Sequence, residues 1–362
     1  MRILVAPDKF AGTLTAVQAA EAIAAGWSRQ APRDELDLAP MSDGGPGFVD
    51  VLHAALGGEL LAAAVRGPAG AGEVPATLLV HDGVAYVESA QACGLHLTGG
   101  RDAADATTYG VGTLVGLAVD AGARRVVVGL GGSGTDDGGA GLLAALGATA
   151  DVPLDRGVAA LDGVSAVDVG PARERVAGVE LVAASDVDSP LTGLFGATKT
   201  FGPQKGIPEE DLPRWDAVLE RFAVATDRRL ALEPGAGAAG GLGFALMLLG
   251  GRRVPGIDLV AGTVDLPARA RKADVVVTGE GAFDFSSRAG KVPAGVAAVA
   301  AEALRPCVAL AGRVLVGSRE MRALGMDAAY SLVDAVGEER ALGDPAGALA
   351  DLADRVARTW SA

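Results

Sequence analysis

Short apolar runs rich in β-branched residues alternate with longer segments whose apolar positions recur at helical spacing. Residues 3–6, 35–38, 125–130, 179–185, 274–278, 307–311 and 329–333 read as strands. Leu14, Val17, Ile23, Ala24 and Trp27 share one face of a helix that Thr15 and Gln18 open as a capping box. Further helices are predicted over 48–56, 108–120, 142–146, 209 to about 226, from 244, from 293, and from about 346 to 360. Residues 59–66, 74–80 and 84–89 break this rhythm. They are three strand-like runs in succession, with His81, Asp82 and Gly83 as a hairpin turn. The pattern predicts an α/β protein of two α/β domains, one with a mostly parallel sheet and one inserted with an antiparallel or mixed element. The expected boundaries are 1–60 plus 265–362 for the discontinuous parallel domain and 61–264 for the insert, with the active site in the cleft between them.

The polar residues that interrupt this pattern gather where strands end. Between Leu130 and Leu142 lie six glycines together with Ser133, Thr135, Asp136 and Asp137. A strand, a glycine-rich loop and a helix start form an arrangement that binds phosphate, because glycine lets the backbone approach and free N–H groups point at the anion. The loop lacks the G-K-[ST] ending of a Walker A motif and the spacing of a dinucleotide fingerprint. Asp136 and Asp137 add hard oxygen ligands for Mg²⁺; alternatively the stretch is a flexible turn with Asp136 capping the helix. Asp8, Asp43, Asp186 with Asp188, and Glu280 with Asp284 occupy four further strand ends. Converging, these carboxylates could bind Mg²⁺ and deprotonate a hydroxyl. Separately, each suits a turn or a cap. Lys9, Lys205, Arg288 and Lys291 lie in or beside glycine-containing loops and suit capture of phosphate or carboxylate.

Composition narrows the function. Acidic residues outnumber basic ones 45 to 31, for a net charge of −14, so nucleic acid and anionic membranes are unsuitable partners. The apolar runs fall short of the ~20 residues of a membrane helix, and MRILVAPDKF has no signal-peptide pattern. Cys93 and Cys307 form no metal-type spacing and no disulfide framework. A cytoplasmic protein with reduced thiols is expected. His53, His81 and His96 form no cluster. Glycine loops, acids and a few cations together suit phosphoryl transfer to a small acidic alcohol.

Seven motifs, in order over nearly the whole chain, give a resemblance. They are APDKFAGTLTA at 6–16, SDGGPG at 42–47, GLGGSGTDDGGAG at 129–141, SDVDSPLTG at 185–193, FGPQKG at 201–206, PGAGAAGGLG at 234–243 and TGEGAFDFSSRAGKVPAGVA at 278–297. With them the chain resembles the bacterial glycerate kinases of the glycerate 2-kinase type. The resemblance implies a two-domain α/β enzyme that uses ATP and Mg²⁺ to phosphorylate glycerate, with 2-phosphoglycerate as product. Alternatives are a kinase for another small hydroxy acid and a ligand-binding relative without turnover. Asp186, Lys9, Asp8 and Lys291 are expected to be catalytic. Asp43, Glu88, Lys205 and Arg288 are expected at the substrate. Gly131, Gly132, Ser133, Gly134 and Thr135 are expected at the nucleotide, and Asp136, Glu280 and Asp284 at the metal. Monomer and homodimer both stay open. Ala11, Pro46, Ser189 and Phe285 depart from residues common in that family.

Overall fold

The computed structural model describes residues 1–10, 12–69, 72–284, 287 and 291–361. In chain order the strands are β1 (Arg2–Val5), β2 (Glu35–Leu38), β3 (Glu59–Arg66), β4 (Glu73–His81), β5 (Val84–Glu88), β6 (Arg125–Gly129), β7 (Thr149–Ala150), β8 (Val167–Asp168), β9 (Glu180–Ala184), β10 (Arg252–Val254), β11 (Val275–Phe283), β12 (Cys307–Val314) and β13 (Ala328–Ser331). The chain divides into two compact units. The first holds residues 1–43, 50–56 and those from 256 onward; the second holds 44–49 and 57–255.

The first unit is built on a parallel sheet of order β13-β12-β11-β1-β2. Ile3, Leu4 and Val5 are wholly buried, as a strand covered on both faces requires. The helix Ala16–Gln30 begins at the expected capping box: the Gln18 amide donates to Thr15 Oγ1 at 3.2 Å, and the Thr15 amide to Gln18 Oε1 at 3.0 Å. Its apolar face, with Ile23 and Trp27, shares a core with Leu349, Ala353 and Val356 of the helix Pro345–Trp360. Gly26 lets the two helices approach, since a Cβ there would lie 1.8 Å from the Ala350 carbonyl oxygen. From β1 the chain moves to β2 on one side and returns later through β11, β12 and β13 on the other. The strand order therefore reverses between β1 and β11, and in open α/β sheets ligands bind beyond the carboxyl ends of strands at such a point.

One expectation is corrected here. The strand expected over 274–278 does not end there; β11 runs on through Gly279, Glu280 and Gly281 to Phe283. The pairing with β12 continues through Glu280↔Ala311, Ala282↔Arg313 and Phe283↔Val314. Glycine is needed at 279 because a Cβ would meet the Leu310 carbonyl oxygen at 2.3 Å.

The second unit has a mixed sheet of order β10-β9-β6-β5-β4-β3. β3, β4 and β5 are antiparallel neighbours, and β5, β6, β9 and β10 are parallel. The β4–β5 hairpin turns at Asp82 and Gly83, both at positive φ (50° and 77°), as a tight two-residue hairpin demands. The fold class is α/β, with one parallel sheet, one mixed sheet and a two-stranded antiparallel pair of β7 and β8. The strand β10 and the helices Gly256–Thr263 and Leu266–Lys272 were not expected. Among the described helices, none is long and apolar enough to cross a membrane.

Candidate active site

The first unit gathers carboxylates at the strand-order reversal. Asp8 follows β1, Asp43 follows β2, Glu280 lies on β11 and Asp284 follows it. The Asp8 amide donates to the Gly279 carbonyl at 2.8 Å, which ties the end of β1 to β11. These four acids, with Lys9 and Lys291, line one pocket of about 420 Å³. Lys9 Nζ lies 3.7 Å from Asp8 Oδ1, and the Ser287 hydroxyl donates to Glu280 Oε1 at 2.6 Å. Lys291 stands at the start of the helix Val292–Glu302, with Pro293 in its first turn.

Crowded acids out of water hold their protons. Burial pushes the Asp8 carboxyl up to about 6; Lys9 opposes this and the neighbouring Asp43 adds to it. Burial pushes Glu280 up to about 7, against the hydrogen bond from Ser287 and the charge of Lys291. Two groups that exchange protons near neutrality thus face the same pocket as two ammonium groups. Sequence reasoning missed the rest of the lining, including Phe10, Arg313, Leu332, Val333 and Leu342. The apolar ones carried only a pattern that reads as ordinary core, and Arg313 is one arginine among many in the chain.

In the second unit the glycine loop has a different construction from the one expected. Asp137 turns inward beneath the start of the short helix Ala140–Ala145, whose N-cap position is Gly139. Its Oδ1 accepts from the Gly139 amide at 2.9 Å. Its Oδ2 accepts from the Gly141 amide at 3.2 Å and from the amide and hydroxyl of Thr108 at 2.8 Å each. The helix start is therefore filled by the chain's own carboxylate. Asp136 is wholly buried, with Oδ2 accepting from the Thr198 hydroxyl at 2.7 Å. Burial pushes its carboxyl up to about 7, and Lys205 opposes that. Gly131, Gly132 and Gly134 lie close against other loops. A Cβ at Gly131 would meet Gly45 Cα at 2.5 Å, one at Gly132 the Pro46 ring at 2.8 Å, and one at Gly134 the Thr98 hydroxyl at 2.6 Å. Ser133 is buried, and so is Thr135. Pro46, a departure from common family residues, is thus a packing partner of Gly132.

Lys205 and Glu88 are likewise held by hydrogen bonds to the backbone. Lys205 is buried, its ammonium donates to the Thr135 carbonyl at 2.7 Å, and burial pulls its pKa down. Glu88 Oε2 accepts from the amides of Gly47 and Val49 at 3.1 and 3.3 Å, at the start of the helix Phe48–Leu56. Asp186 follows β9 and is half-buried, while Asp188 is exposed and paired with Arg253. Arg288, Phe285 and Ala11 lie outside the described residues. Cys93 is a buried apolar residue, its thiol pushed up to about 12 by burial. Among the described residues no group of three or more His, Cys, Asp and Glu side chains is arranged to hold a metal.

A parallel α/β unit with acids and lysines at its reversal point, joined in one chain to a mixed α/β unit, defines a two-unit α/β enzyme. The chain belongs to the glycerate kinase family, whose model matches residues 3–361. It is 39% identical to a glycerate kinase of Bacillus subtilis, over 92% of this chain and 90% of that one. It is 36% identical to a glycerate 2-kinase of Escherichia coli, over 93% and 92%. A crystal structure of a putative glycerate kinase 2 from Salmonella typhimurium matches with a TM-score of 0.83 at 35% identity, covering 99% of this chain and 98% of that one.

Proposed function

We infer that the protein phosphorylates glycerate with ATP as donor, and propose that the 2-hydroxyl is the acceptor, giving 2-phosphoglycerate. The observation that carries the reading is the pocket lined by Asp8, Asp43, Glu280, Asp284, Lys9 and Lys291. Phosphoryl transfer asks little covalent chemistry of a protein; it asks for positioning and for charge neutralisation. Lys9 and Lys291 are assigned to the anions, the glycerate carboxylate and the transferred group. Asp8 and Glu280 are assigned to holding or moving a proton at the pocket wall. Asp186 is assigned to orienting or deprotonating the hydroxyl.

Mg²⁺ is supported by the donor set. Carboxylate oxygens suit a hard cation, and Mg²⁺ is commonly held through one or two carboxylates together with substrate phosphates. Glu280 and Asp284 would hold it, and when bound it neutralises charge on the phosphate oxygens. The cytoplasm is the proposed location, supported by two cysteines that are both buried and unpaired.

The test is ADP release coupled to a reporter, run across small hydroxy acids, with phosphorus NMR of the product. Turnover with glycerate and a 2-phosphoglycerate signal is the expected result. A higher kcat/KM on another hydroxy acid reassigns the substrate, and a 3-phosphoglycerate signal reassigns the position. No ADP release with any acid in the presence of Mg²⁺ overturns the kinase reading.

A further inference from the structure

Glycerate is a three-carbon acid with oxygen on every carbon, and the acidic and basic wall of the pocket suffices for it. The pocket goes further. Beyond Asp8, Glu280 and Lys291 it is walled by Phe10, Leu332, Val333, Ala341 and Leu342. Three of these, Phe10, Leu332 and Ala341, are core residues that expose only an edge. Leu342 is 62% exposed, a large apolar side chain left in water on the short helix Glu338–Gly343. The volume, about 420 Å³, lies in the ~300–1,000 Å³ range of sites for drug-sized ligands, which are lined mainly by apolar groups with a few placed polar ones.

The sheet sets the spacing of the two halves. The polar half lies at the ends of β1 and β11; of the apolar wall, Phe10 follows β1, whereas Leu332, Val333, Ala341 and Leu342 follow β13. β13 is two strands from β11, with β12 between them. That is roughly 10 Å at ordinary strand spacing, about the reach of a ribose and its phosphates. Arg313 of β12, beside Ala282 in the register, is a cation along the same wall.

We propose that the apolar half of this pocket, walled by Phe10, Leu332, Val333 and Leu342, seats the purine base of the nucleotide, with its phosphates extending to the acidic end. The proposal rests on the kinase reading above. A purine has flat apolar faces and a polar rim, which suits apolar walls in a pocket that also carries charged groups. Glycerate has no apolar surface to offer them.

Two experiments decide it. Leu342→Asp changes a largely exposed side chain, so the fold is expected to hold, and a melting curve verifies that. In calorimetric titrations the substitution should weaken ADP binding roughly tenfold or more and leave the affinity for inorganic tripolyphosphate, which has no base, within twofold. Unchanged ADP affinity, or equal losses for both ligands, overturns the proposal. Photolabelling of the wild-type enzyme with 8-azido-ATP should mark the segment 332–342. A label elsewhere overturns it, for example on the turn at Leu194 and Phe195, which are 76% and 72% exposed. Glycerate-dependent ADP release by the wild type is measured in parallel. If it is absent the kinase reading fails; if it is present while the Leu342→Asp variant binds ADP normally, only the base subsite fails.

Discussion

At the scale of single residues, burial gives the acids of the first unit their character. Glu280 ionises in the unfolded chain near 4.5 but in the fold only at about 7. The folded state therefore binds the extra proton between those values, and the stability this gives is complete below about 4.5 and lost as pH rises through about 7. Glu280→Gln keeps an acceptor for the Ser287 hydroxyl and removes the charge. We predict a stability close to wild type at pH 5 and greater at pH 8, by an amount on the order of 2–3 kcal/mol and read as a raised melting temperature, together with loss of turnover. A variant less stable than wild type at both pH values would mean that Glu280 is a structural acceptor and no strained functional acid. Asp186 is tested separately by Asp186→Asn. Loss of at least ~10²-fold in kcat at an unchanged melting temperature is expected of a group acting on the hydroxyl. A lower melting temperature with kcat preserved assigns it to the turn.

At the scale of elements, periodicity carried most of the fold. The capping box at Thr15, the Asp82-Gly83 hairpin and the glycine-rich break before the helix Ala140–Ala145 were all legible, because each is local chemistry. What was not legible depends on contacts between segments far apart in sequence. Gly279 and Gly281 look like a turn until β12 supplies eight residues against which β11 can continue. The glycine loop reads as open until Gly45, Pro46 and Thr98 are seen to lie against Gly131, Gly132 and Gly134. Asp8, Asp43, Glu280, Asp284, Lys9 and Lys291 could be singled out by type and by position at strand ends; that they share a pocket follows from the strand order, which the sequence does not display. The loop's construction carries its own prediction. Gly132 sits at φ 76° with the Pro46 ring 2.8 Å from any Cβ, so Gly132→Val adds the cost of a left-handed β-branched residue, ~1–2 kcal/mol, to overpacking of ~1–3 kcal/mol. Urea unfolding should show a lower midpoint at an unchanged slope. A normal midpoint with weakened nucleotide binding would return the loop to the nucleotide site.

At the scale of the whole molecule, a chain of net charge −14 takes up anions. The global charge repels glycerate and ATP, whereas Lys9, Lys291 and Arg313 on the pocket wall attract them. Ionic strength separates the two because they act over different distances. At ~0.01 M salt the screening length is ~30 Å and the whole chain is felt; at ~0.15 M it is ~8 Å and only the pocket is. Raising salt from the first value to the second should therefore lower KM for glycerate, as global repulsion is screened while local attraction survives. Toward ~1 M, where the screening length falls to ~3 Å, the local attraction is screened as well and KM should climb again. The expected curve has a minimum, and Lys291→Ala should flatten its high-salt limb while leaving the low-salt limb in place. Steady-state kinetics in potassium chloride at fixed free Mg²⁺ measures both limbs. A KM that rises from the lowest salt onward would mean that the pocket cations dominate at every distance, and that the acidic surface has no influence on how these substrates reach the site.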